Sequence, residues 1–355
     1  MNKFTYSANE IRALFGSGTR KQLSDEIAFL GACRAMVITS SNSRETIKQI
    51  IVELGDLCVT HFNGAEMHTP IDVTQKALSL AKEHKIDCLV AIGGGSATGL
   101  AKAIALRTDL PQIILPTTYA GSELTPIIGE TENGLKSTQS SKKVLAETVI
   151  YDTDLTVSLP VMQSVTSAIN AMAHAVEALY AEHENPIISA HAEQAIITFY
   201  NTLPKICVNP QDITARTDAL YACFLSGLCL GSVGMALHHK LCHSLGGGFG
   251  LPHAATHCVV LPHVIQFNAH VRPELNQLGN RLHSSSLGFA IFELIRACNG
   301  PTSLQEIGMK ETDLDTAATL AMSNSYYNPR SATYDDIREL LQNAYSGIAP
   351  DACLI

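Results

Sequence analysis

Runs of consecutive apolar residues alternate with amphipathic stretches between residues 30 and 151. Four runs combine aliphatic and β-branched residues almost without a polar break; they span 35–39, 88–92, 112–115 and 148–151. Strands that are apolar along their length are typical of a parallel sheet covered by helices on both faces. The stretches 43–54 and 72–84 have the helical spacing of apolar residues. The pattern predicts a doubly wound α/β domain over residues 1–158.

The pattern changes after residue 155, where strand signals almost vanish. Apolar residues then recur at helical spacing in five long segments, which span 161–181, 186–207, 213–230, 234–245 and 254–270. Shorter segments of the same kind follow, and no internal repeat is found. We expect residues 159–355 to form an all-α domain, a compact bundle of helices.

Composition narrows the class of protein further. With 46% apolar and 16% charged residues over 355 positions, the chain can bury a large core. A net charge of -9 with no basic stripe argues against a nucleic-acid partner. Residues 1–6 lack a signal-peptide pattern, and no apolar run is long enough to cross a bilayer. The ten cysteines include no Cys-x-x-Cys pair, which suits reduced thiols in a soluble, cytoplasmic protein.

A glycine turn connects the strand predicted at 88–92 to a segment of helix-forming composition. Its residues are Gly93, Gly94, Gly95 and Ser96. Glycines let a backbone approach a pyrophosphate closely, and the free N–H groups of the first helical turn point at the anion. Glycines also serve ordinary tight turns, so this motif alone is weak evidence.

A second loop strengthens the prediction of a nucleotide site. The strand predicted at 112–115 ends in a segment with hydroxyl groups and a glycine, which includes Thr117, Thr118, Tyr119 and Ser122. Ligands of open α/β sheets bind at the carboxyl ends of the strands. Tyr119 either stacks near a nicotinamide or packs at the sheet edge. The turn 16–18 is a third candidate loop, although an ordinary surface turn is as good an interpretation.

Imidazoles are concentrated in the helical half. His238, His239, His243 and His253 lie within sixteen residues of an otherwise apolar stretch. Upstream, Asn170 and His174 are four residues apart on one predicted helix, so their side chains project from the same face. The set has the ligand types of a metal site but lacks an acidic ligand.

Taken in order, these motifs resemble the iron-containing (type III) alcohol dehydrogenase superfamily nearly from end to end. The matching segments are 15–19, 93–96 with 101–102, 117–118 with 121–123, 155–160 and 239–253. Within that superfamily, segments 170–178, 237–243 and 328–330 look like those of the reductases that act on maleylacetate. The resemblance implies the dehydroquinate-synthase-like architecture, an NAD(P)-binding α/β domain followed by a helical domain, and a homodimer formed through the α/β half.

In the metal-dependent members, an aspartate and three histidines hold iron or zinc. By motif position these fall on Asn170, His174, His239 and His253, while His243 falls where relatives have a histidine near the nicotinamide and the substrate. A neutral amide coordinates a divalent cation less strongly than a carboxylate does. We therefore favour a metal-free site; if a metal is present, its ligands are His174, His239 and His253.

The resemblance implies NAD(P)H-dependent reduction of the carbon–carbon double bond of maleylacetate to 3-oxoadipate in the degradation of aromatic compounds. His243 or His239 would donate the proton, and the other clustered groups would stabilise an enolate. An aspartate at position 170 would repel this dicarboxylate substrate. Since Ser40, where NAD-selective sites usually have a carboxylate, would not repel a 2′-phosphate, NADH and NADPH are both expected as cofactors.

Several residues outside this cluster are weaker candidates. Lys136, in a predicted hairpin at 131–136, and Arg330 could each hold a substrate carboxylate, and His238 could contact the substrate. For Lys136, solvated surface charge is the simpler interpretation. Glu177 either orients His174 or forms an ordinary pair on the helix surface.

Three other functions remain open at this point. One is a metal-dependent alcohol or polyol dehydrogenase that uses Fe²⁺ or Zn²⁺. Another is a dehydroquinate-synthase-type lyase, although the basic residues needed for a phosphorylated substrate are not evident. The last is a non-enzymatic nucleotide-sensing module, which the clustered imidazoles argue against.

Overall fold

The computed structural model describes residues 3–41, 45–132, 135–323 and 326–350, and only the backbone of Leu135 and Lys136. Two compact units make up the chain. Residues Ala8–Leu159 form the first, which contains the parallel sheet. Residues 3–7 and the chain from Pro160 onwards form the second, which is helical.

Six parallel strands form the sheet of the first unit, in the order β1-β8-β5-β4-β2-β3. They are β1 (Arg12–Phe15), β2 (Ala35–Ile38), β3 (Cys58–Phe62), β4 (Cys88–Gly93), β5 (Gln112–Pro116) and β8 (Thr148–Tyr151). Every residue of β2, β4, β5 and β8 is buried, whereas β1 and β3, at the two edges, are partly exposed. The four predicted strands are confirmed, and the two that the apolar pattern missed are the edge strands.

In the sheet, β4 lies between β2 and β5. Val90 of β4 lies opposite Val37 of β2 on one side and Ile113 of β5 on the other. Because all three strands are parallel, the segments that follow them leave the sheet at the same edge. The residues after β2, β4 and β5 are those that the sequence assigned to the nucleotide site.

Helices and a hairpin complete this unit. The helices are α1 (Leu23–Phe29), α2 (Glu45–Leu54), α3 (Ile71–Glu83) and α4 (Gly95–Thr108). Residues 43 and 44, the predicted start of α2, lie outside the described residues. The predicted hairpin is confirmed as β6 (Ile127–Glu132) paired antiparallel with β7 (Leu135–Ser140), while its turn at 133–134 lies outside the description.

The second unit is helical, as predicted. Its helices are α5 (Val161–Ala178), α6 (Pro186–Val208), α7 (Ile213–Ser232), α8 (Leu237–Phe249), α9 (His253–Ala269), α10 (Glu274–Arg281), α11 (Leu287–Ala297), α12 (Leu314–Met322) and α13 (Tyr334–Ser346). No single helix among the described residues is long and apolar enough to cross a membrane, and α7 with α8 meets those limits only as a pair bent by 95°.

Helix α8 starts at Leu237, three residues later than predicted. The reason is a side chain from another helix: Glu177 of α5 accepts hydrogen bonds from the backbone N–H groups of Ala236 and His238. A carboxylate at a helix N-terminus satisfies donors that have no partner within the helix. The apolar face of α8, including Leu237, Leu241 and Leu245, packs into a core shared with α9, α12 and α13.

Candidate active site

The loops after β4 and β5 contact each other in the sheet unit. The backbone N–H of Thr117 donates to the carbonyl of Gly93 over 2.9 Å. A Cβ atom added to Gly94 would lie 3.0 Å from Oγ1 of Thr118, so a larger residue there would press on the next loop. The glycine is needed for the two loops to lie this close.

Helix α4 begins at this point with Gly94 as its N-cap and no side chain capping it. Ser96 lies in its first turn, and a Cβ at Gly95 would meet nothing within 4 Å. The first N–H groups of the helix have no partner within the helix, and its dipole favours an anion at this end. This geometry fits a phosphate group, as the glycine turn predicts.

The loop after β5 is anchored by a lysine that sequence analysis did not single out. Nζ of Lys102 donates to the carbonyls of Ser122, Thr125 and Ile127 and to Oγ1 of Thr125, over 2.6–3.0 Å. Burial lowers the pKa of this ammonium to about 7. The side chain of Tyr119 is fully buried, which favours packing at the sheet edge over stacking on a nicotinamide.

Five imidazoles and an amide from three helices form a cluster in the helical unit, which we call the histidine cluster. Its members are Asn170 and His174 on α5, His239 and His243 on α8, and His253 and His257 on α9. The ring centroids of His174 and His239 are 4.9 Å apart, those of His239 and His243 6.1 Å, and those of His243 and His253 6.3 Å. The structure thus brings together the four histidines that the sequence singled out as catalytic, and it places Asn170 one helical turn before His174 on the same helix.

His257 is a member that sequence analysis missed. Its ring centroid is 4.5 Å from that of His253 and 5.1 Å from that of His239. The available signal was its spacing, because His253 and His257 are four residues apart on one helix.

Glu177 connects α5 to α8 and fixes one imidazole of the cluster. Its Oε2 lies 2.6 Å from Nδ1 of His239, and the carboxylate also accepts the two backbone N–H groups at the start of α8. Its side chain is fully buried. Both earlier interpretations of Glu177 are therefore wrong: it orients His239 rather than His174, and it does not lie on the helix surface.

Behind the cluster, His238 faces His257 and a cysteine. Nε2 of His238 lies 2.7 Å from Nδ1 of His257 and 3.6 Å from Sγ of Cys242. The imidazole of His238 has no exposed surface. Its ring nitrogen is thus engaged inside the protein, although the sequence suggested it as a substrate contact.

Electrostatics keep most of the buried imidazoles neutral. Burial, with the neighbouring histidines as a smaller cause, lowers the pKa values of His174, His238 and His257 well below the ordinary value. Several buried polar atoms of the cluster have no hydrogen-bond partner; they are Oδ1 of Asn170, Nδ1 of His174, Nε2 of His239 and Nε2 of His257. Buried polar atoms normally have partners, so this set is suited to a polar ligand.

The donor set of the cluster does not fit a tightly held divalent cation. Asn170 offers a neutral amide oxygen, and the three imidazoles at the family's metal positions bring no negative charge. Glu177 is the carboxylate hydrogen-bonded to the cluster, but both of its oxygens are engaged by backbone N–H groups and His239.

The two candidates for a substrate carboxylate lie elsewhere. The guanidinium of Arg330 stacks over Phe267 at 3.9 Å and pairs with Asp336 at 3.2 Å. It lines a cavity of about 430 Å³ together with His263 and Gln266, and does not contact the histidine cluster through any of these bonds. The backbone of Lys136 belongs to β7, and its side chain lies outside the description.

A parallel α/β unit with a glycine turn at its carboxyl edge, followed by a helical unit with clustered imidazoles, defines the class of two-unit dehydrogenases. Family comparison specifies the class further. Residues 11–153 match the model of iron-containing alcohol dehydrogenases, and residues 164–345 match the C-terminal model of the Fe-containing alcohol dehydrogenase family. The chain belongs to the iron-containing alcohol dehydrogenase family.

Relatives with established names are similar over nearly the full length. Maleylacetate reductase 1 of Rhodococcus opacus is 48% identical over 98% of both chains. Maleylacetate reductase 1 of Cupriavidus pinatubonensis is 45% identical over 99% of both. The crystal structure of maleylacetate reductase from Agrobacterium tumefaciens superposes with a TM-score of 0.96 at 45% identity, covering 99% of this chain and all of that one.

Proposed function

We propose that this oxidoreductase reduces the carbon–carbon double bond of maleylacetate to give 3-oxoadipate, with NADH or NADPH as the electron donor, in the degradation of aromatic compounds. Full-length similarity to several maleylacetate reductases supports this substrate. The observation that carries the proposal is the histidine cluster, in which an amide stands where metal-dependent relatives have a carboxylate. These findings do not favour the polyol dehydrogenase or the lyase.

The sheet unit is the cofactor-binding unit in this proposal. The N-terminus of α4 and the turn Gly93–Gly94–Gly95–Ser96 receive the pyrophosphate, and the hydroxyls of Thr117, Thr118 and Ser122 lie on the loop beside it. When bound, the reduced nicotinamide supplies a hydride to the substrate carbon that is β to the ketone. Ser40, two residues after the end of β2, has no charge that would repel the 2′-phosphate of NADPH.

The helical unit binds the substrate and donates the proton. Hydride addition moves an electron pair toward the ketone oxygen, and donors aimed at that oxygen stabilise the enolate. Nε2 of His239 has no partner in the structure and would donate when the ring is protonated, and the N–H₂ group of Asn170 would be a second donor. The carbon next to the ketone then takes a proton from His243 or His239, which completes the reduction.

Glu177 favours His239 for one of these roles. A buried carboxylate at 2.6 Å from Nδ1 keeps the N–H on that nitrogen and fixes the orientation of the ring. His239 then presents Nε2 to the cluster in one orientation. His174 and His253 line the rest of the substrate site. His238, whose ring nitrogen is hydrogen-bonded to His257, supports the cluster rather than contacting the substrate.

The direct test is the loss of NADH absorbance when the enzyme meets freshly generated maleylacetate. We expect turnover with both NADH and NADPH, formation of 3-oxoadipate, and full activity after dialysis against a chelator. Turnover of alcohols or polyols that depends on added Fe²⁺ or Zn²⁺, without reduction of maleylacetate, would contradict the proposal. Release of phosphate from a phosphorylated sugar acid would indicate the lyase instead.

The variant Asn170→Asp tests whether the histidine cluster binds an anion or a metal ion. A carboxylate there would repel the dicarboxylate substrate and restore the family's anionic ligand, so we expect about tenfold lower kcat/KM for maleylacetate. Divalent-metal affinity, measured by calorimetry, should rise. Asn170→Ser, which adds no charge, is the control. Equal activity with no metal uptake in the aspartate variant would contradict the electrostatic argument.

The homodimer remains a prediction. Strand β1 lies at an edge of the sheet and is partly exposed, as a strand that pairs across a two-fold axis must be. Sedimentation of the purified protein would test it.

A further inference from the structure

A group of three metal-ligating side chains shares His257 with the histidine cluster and includes none of the family's metal positions. Among the His, Cys, Asp and Glu side chains of the described ranges, His238, Cys242 and His257 have donor atoms that all lie within 4.8 Å of one another. We propose that these three residues form a binding site for a divalent transition metal of the zinc type, Zn²⁺ or Co²⁺. This proposal does not rest on the proposed reaction.

Helix geometry accounts for the meeting of the three ligands. His238 and Cys242 are four residues apart on α8 and so share one face, and His257 lies in the second turn of α9. Each of the three is fully buried, and the packing of α8 against α9 fixes their positions.

Two of the three distances between ligand atoms can be compared with those of tetrahedral zinc, and the third, between Cys242 and His257, is at most 4.8 Å. With zinc–sulfur and zinc–nitrogen bonds of about 2.3 and 2.05 Å, the ligand atoms of such a site are about 3.5 Å apart for S and N and about 3.3 Å for two N atoms. Here Sγ of Cys242 is 3.6 Å from Nε2 of His238, and the two ring nitrogens are 2.7 Å apart. The imidazole pair must open by about 0.6 Å, which replaces one hydrogen bond by two metal bonds.

Protons and charges balance on binding. The two facing nitrogens share one N–H in their hydrogen bond, so one ring must change tautomer on binding; each neutral imidazole then has its N–H on the outer nitrogen, Nδ1 of His238 or Nε2 of His257. The thiol of Cys242 loses its proton, so one proton is released per ion. Burial and the nearby Glu177 raise the pKa of the free thiol, and a bound cation reverses this effect.

Glu177 places a second buried negative charge near this site, as it does near the family's positions through His239; what this site adds is the Cys242 thiolate as an anionic ligand. Glu177 is fully buried, and its carboxylate is paired with two backbone N–H groups and His239 rather than with a lysine or arginine. A divalent ion, the Cys242 thiolate and the Glu177 carboxylate sum to zero charge, which a buried site requires. The three family positions His174, His239 and His253 carry no such anionic ligand.

Cobalt provides the test, because thiolate-bound Co²⁺ has an intense charge-transfer band in the near ultraviolet. The site is buried, so the enzyme should be produced in zinc-depleted, cobalt-supplemented medium. We expect one cobalt per chain with the band present, and loss of the band in Cys242→Ser. The matched control is Cys258→Ser, which changes a buried cysteine of α9 outside the three ligands and should retain the band.

Two outcomes would overturn the proposal: wild-type protein without the band, or a band that persists in Cys242→Ser. Cobalt bound at His174, His239 and His253 would not give it, since no sulfur lies among those ligands. If Cys242→Ser does not fold, X-ray absorption of the zinc-loaded wild-type protein decides the question. One sulfur and two imidazoles in the shell support the site, and a shell of nitrogen and oxygen alone refutes it.

Discussion

The two units form their ligand sites from different chemical groups, backbone in one and side chains in the other. In the sheet unit, backbone groups do this: a glycine turn, an uncapped helix N-terminus and a loop anchored by Lys102. In the helical unit, side chains do it, with imidazoles from three helices, one of which is held by Glu177. Backbone amides do not titrate near neutral pH, whereas imidazoles do. The two units should therefore respond differently to acid and to substitution.

The largest difference should appear as pH falls. Burial lowers the pKa values of His174, His238 and His257, and that of His263 to about 4. Because the unfolded chain binds protons more readily than these folded sites, their stabilising contribution is complete above about pH 6.5 and is lost as pH falls below it. Each imidazole contributes up to about 1.4 kcal/mol per pH unit. Urea unfolding followed by circular dichroism at pH 7.5 and 5.5 measures the loss.

A pair of variants isolates one imidazole from the rest. His263→Gln removes a buried histidine that lies outside the histidine cluster, so the loss of stability between pH 6.5 and 4 should decrease by about one proton equivalent. His270→Gln changes an exposed histidine of the same helical region and should leave the slope unchanged.

Hydrogen exchange should detect opening of α5, α8 and α9 before the central strands. Earlier opening of the sheet unit would contradict this account.

Glu177→Gln should have the next largest effect. The amide keeps one acceptor oxygen and turns an N–H₂ group toward donors, so buried N–H groups at the start of α8 lose their partner. We expect a loss of about 2–4 kcal/mol of unfolding free energy. Because His239 also loses its orienting carboxylate, kcat/KM should fall about 10–100-fold. Urea unfolding and steady-state kinetics measure the two effects separately.

Glu182→Gln is the matched control for this variant, since Glu182 is an exposed glutamate close to the end of α5. It should change neither stability nor kcat/KM. An unchanged kcat/KM in Glu177→Gln would remove the role assigned to this carboxylate, even if stability fell.

The same contrast explains what the sequence could predict. Strands β2, β4, β5 and β8 are buried on both faces, and this shows in the sequence as unbroken apolar runs. Edge strands β1 and β3 are partly exposed, so their residues carry no such signal. Local order along the chain, strand then glycines then helix, also suffices to locate the phosphate turn.

Contacts between residues far apart in the sequence could not be predicted from local patterns. Glu177 looks like any glutamate on an amphipathic helix, and its partner His239 is 62 residues away. His257 was hidden in the apolar stretch of α9, and its pairing with His238 depends on how α8 packs against α9. The candidate imidazoles could be found from their density, but the carboxylate and the second layer behind them required the packing of three helices.

Gly94→Ala tests the backbone-built site. The added methyl group would lie 3.0 Å from Oγ1 and 3.1 Å from Cγ2 of Thr118, so the two loops must separate by a few tenths of an ångström. We expect KM for NADH to rise about tenfold, which corresponds to about 1.4 kcal/mol of cofactor binding, with little change in kcat. Gly247→Ala, a helical glycine with nothing within 4 Å, is the control and should leave KM unchanged. A fall in kcat alone would contradict a cofactor role.

Ser40→Asp should produce the smallest effect, a change of preference between cofactors. The residue before Ser40 is fixed at the end of β2. The backbone N–H of Thr39 donates to the carbonyl of Phe62, and its hydroxyl lies 2.8 Å from Nε2 of His61. A carboxylate at position 40 would accept the ribose 2′-OH of NADH and repel the 2′-phosphate of NADPH. The ratio of kcat/KM for NADPH over NADH should fall about tenfold, while Ser40→Asn, equal in size but neutral, should shift it less. If the aspartate variant kept the wild-type ratio, Ser40 would not lie at the ribose, and the cofactor would be recognised through α4 and its glycine turn alone.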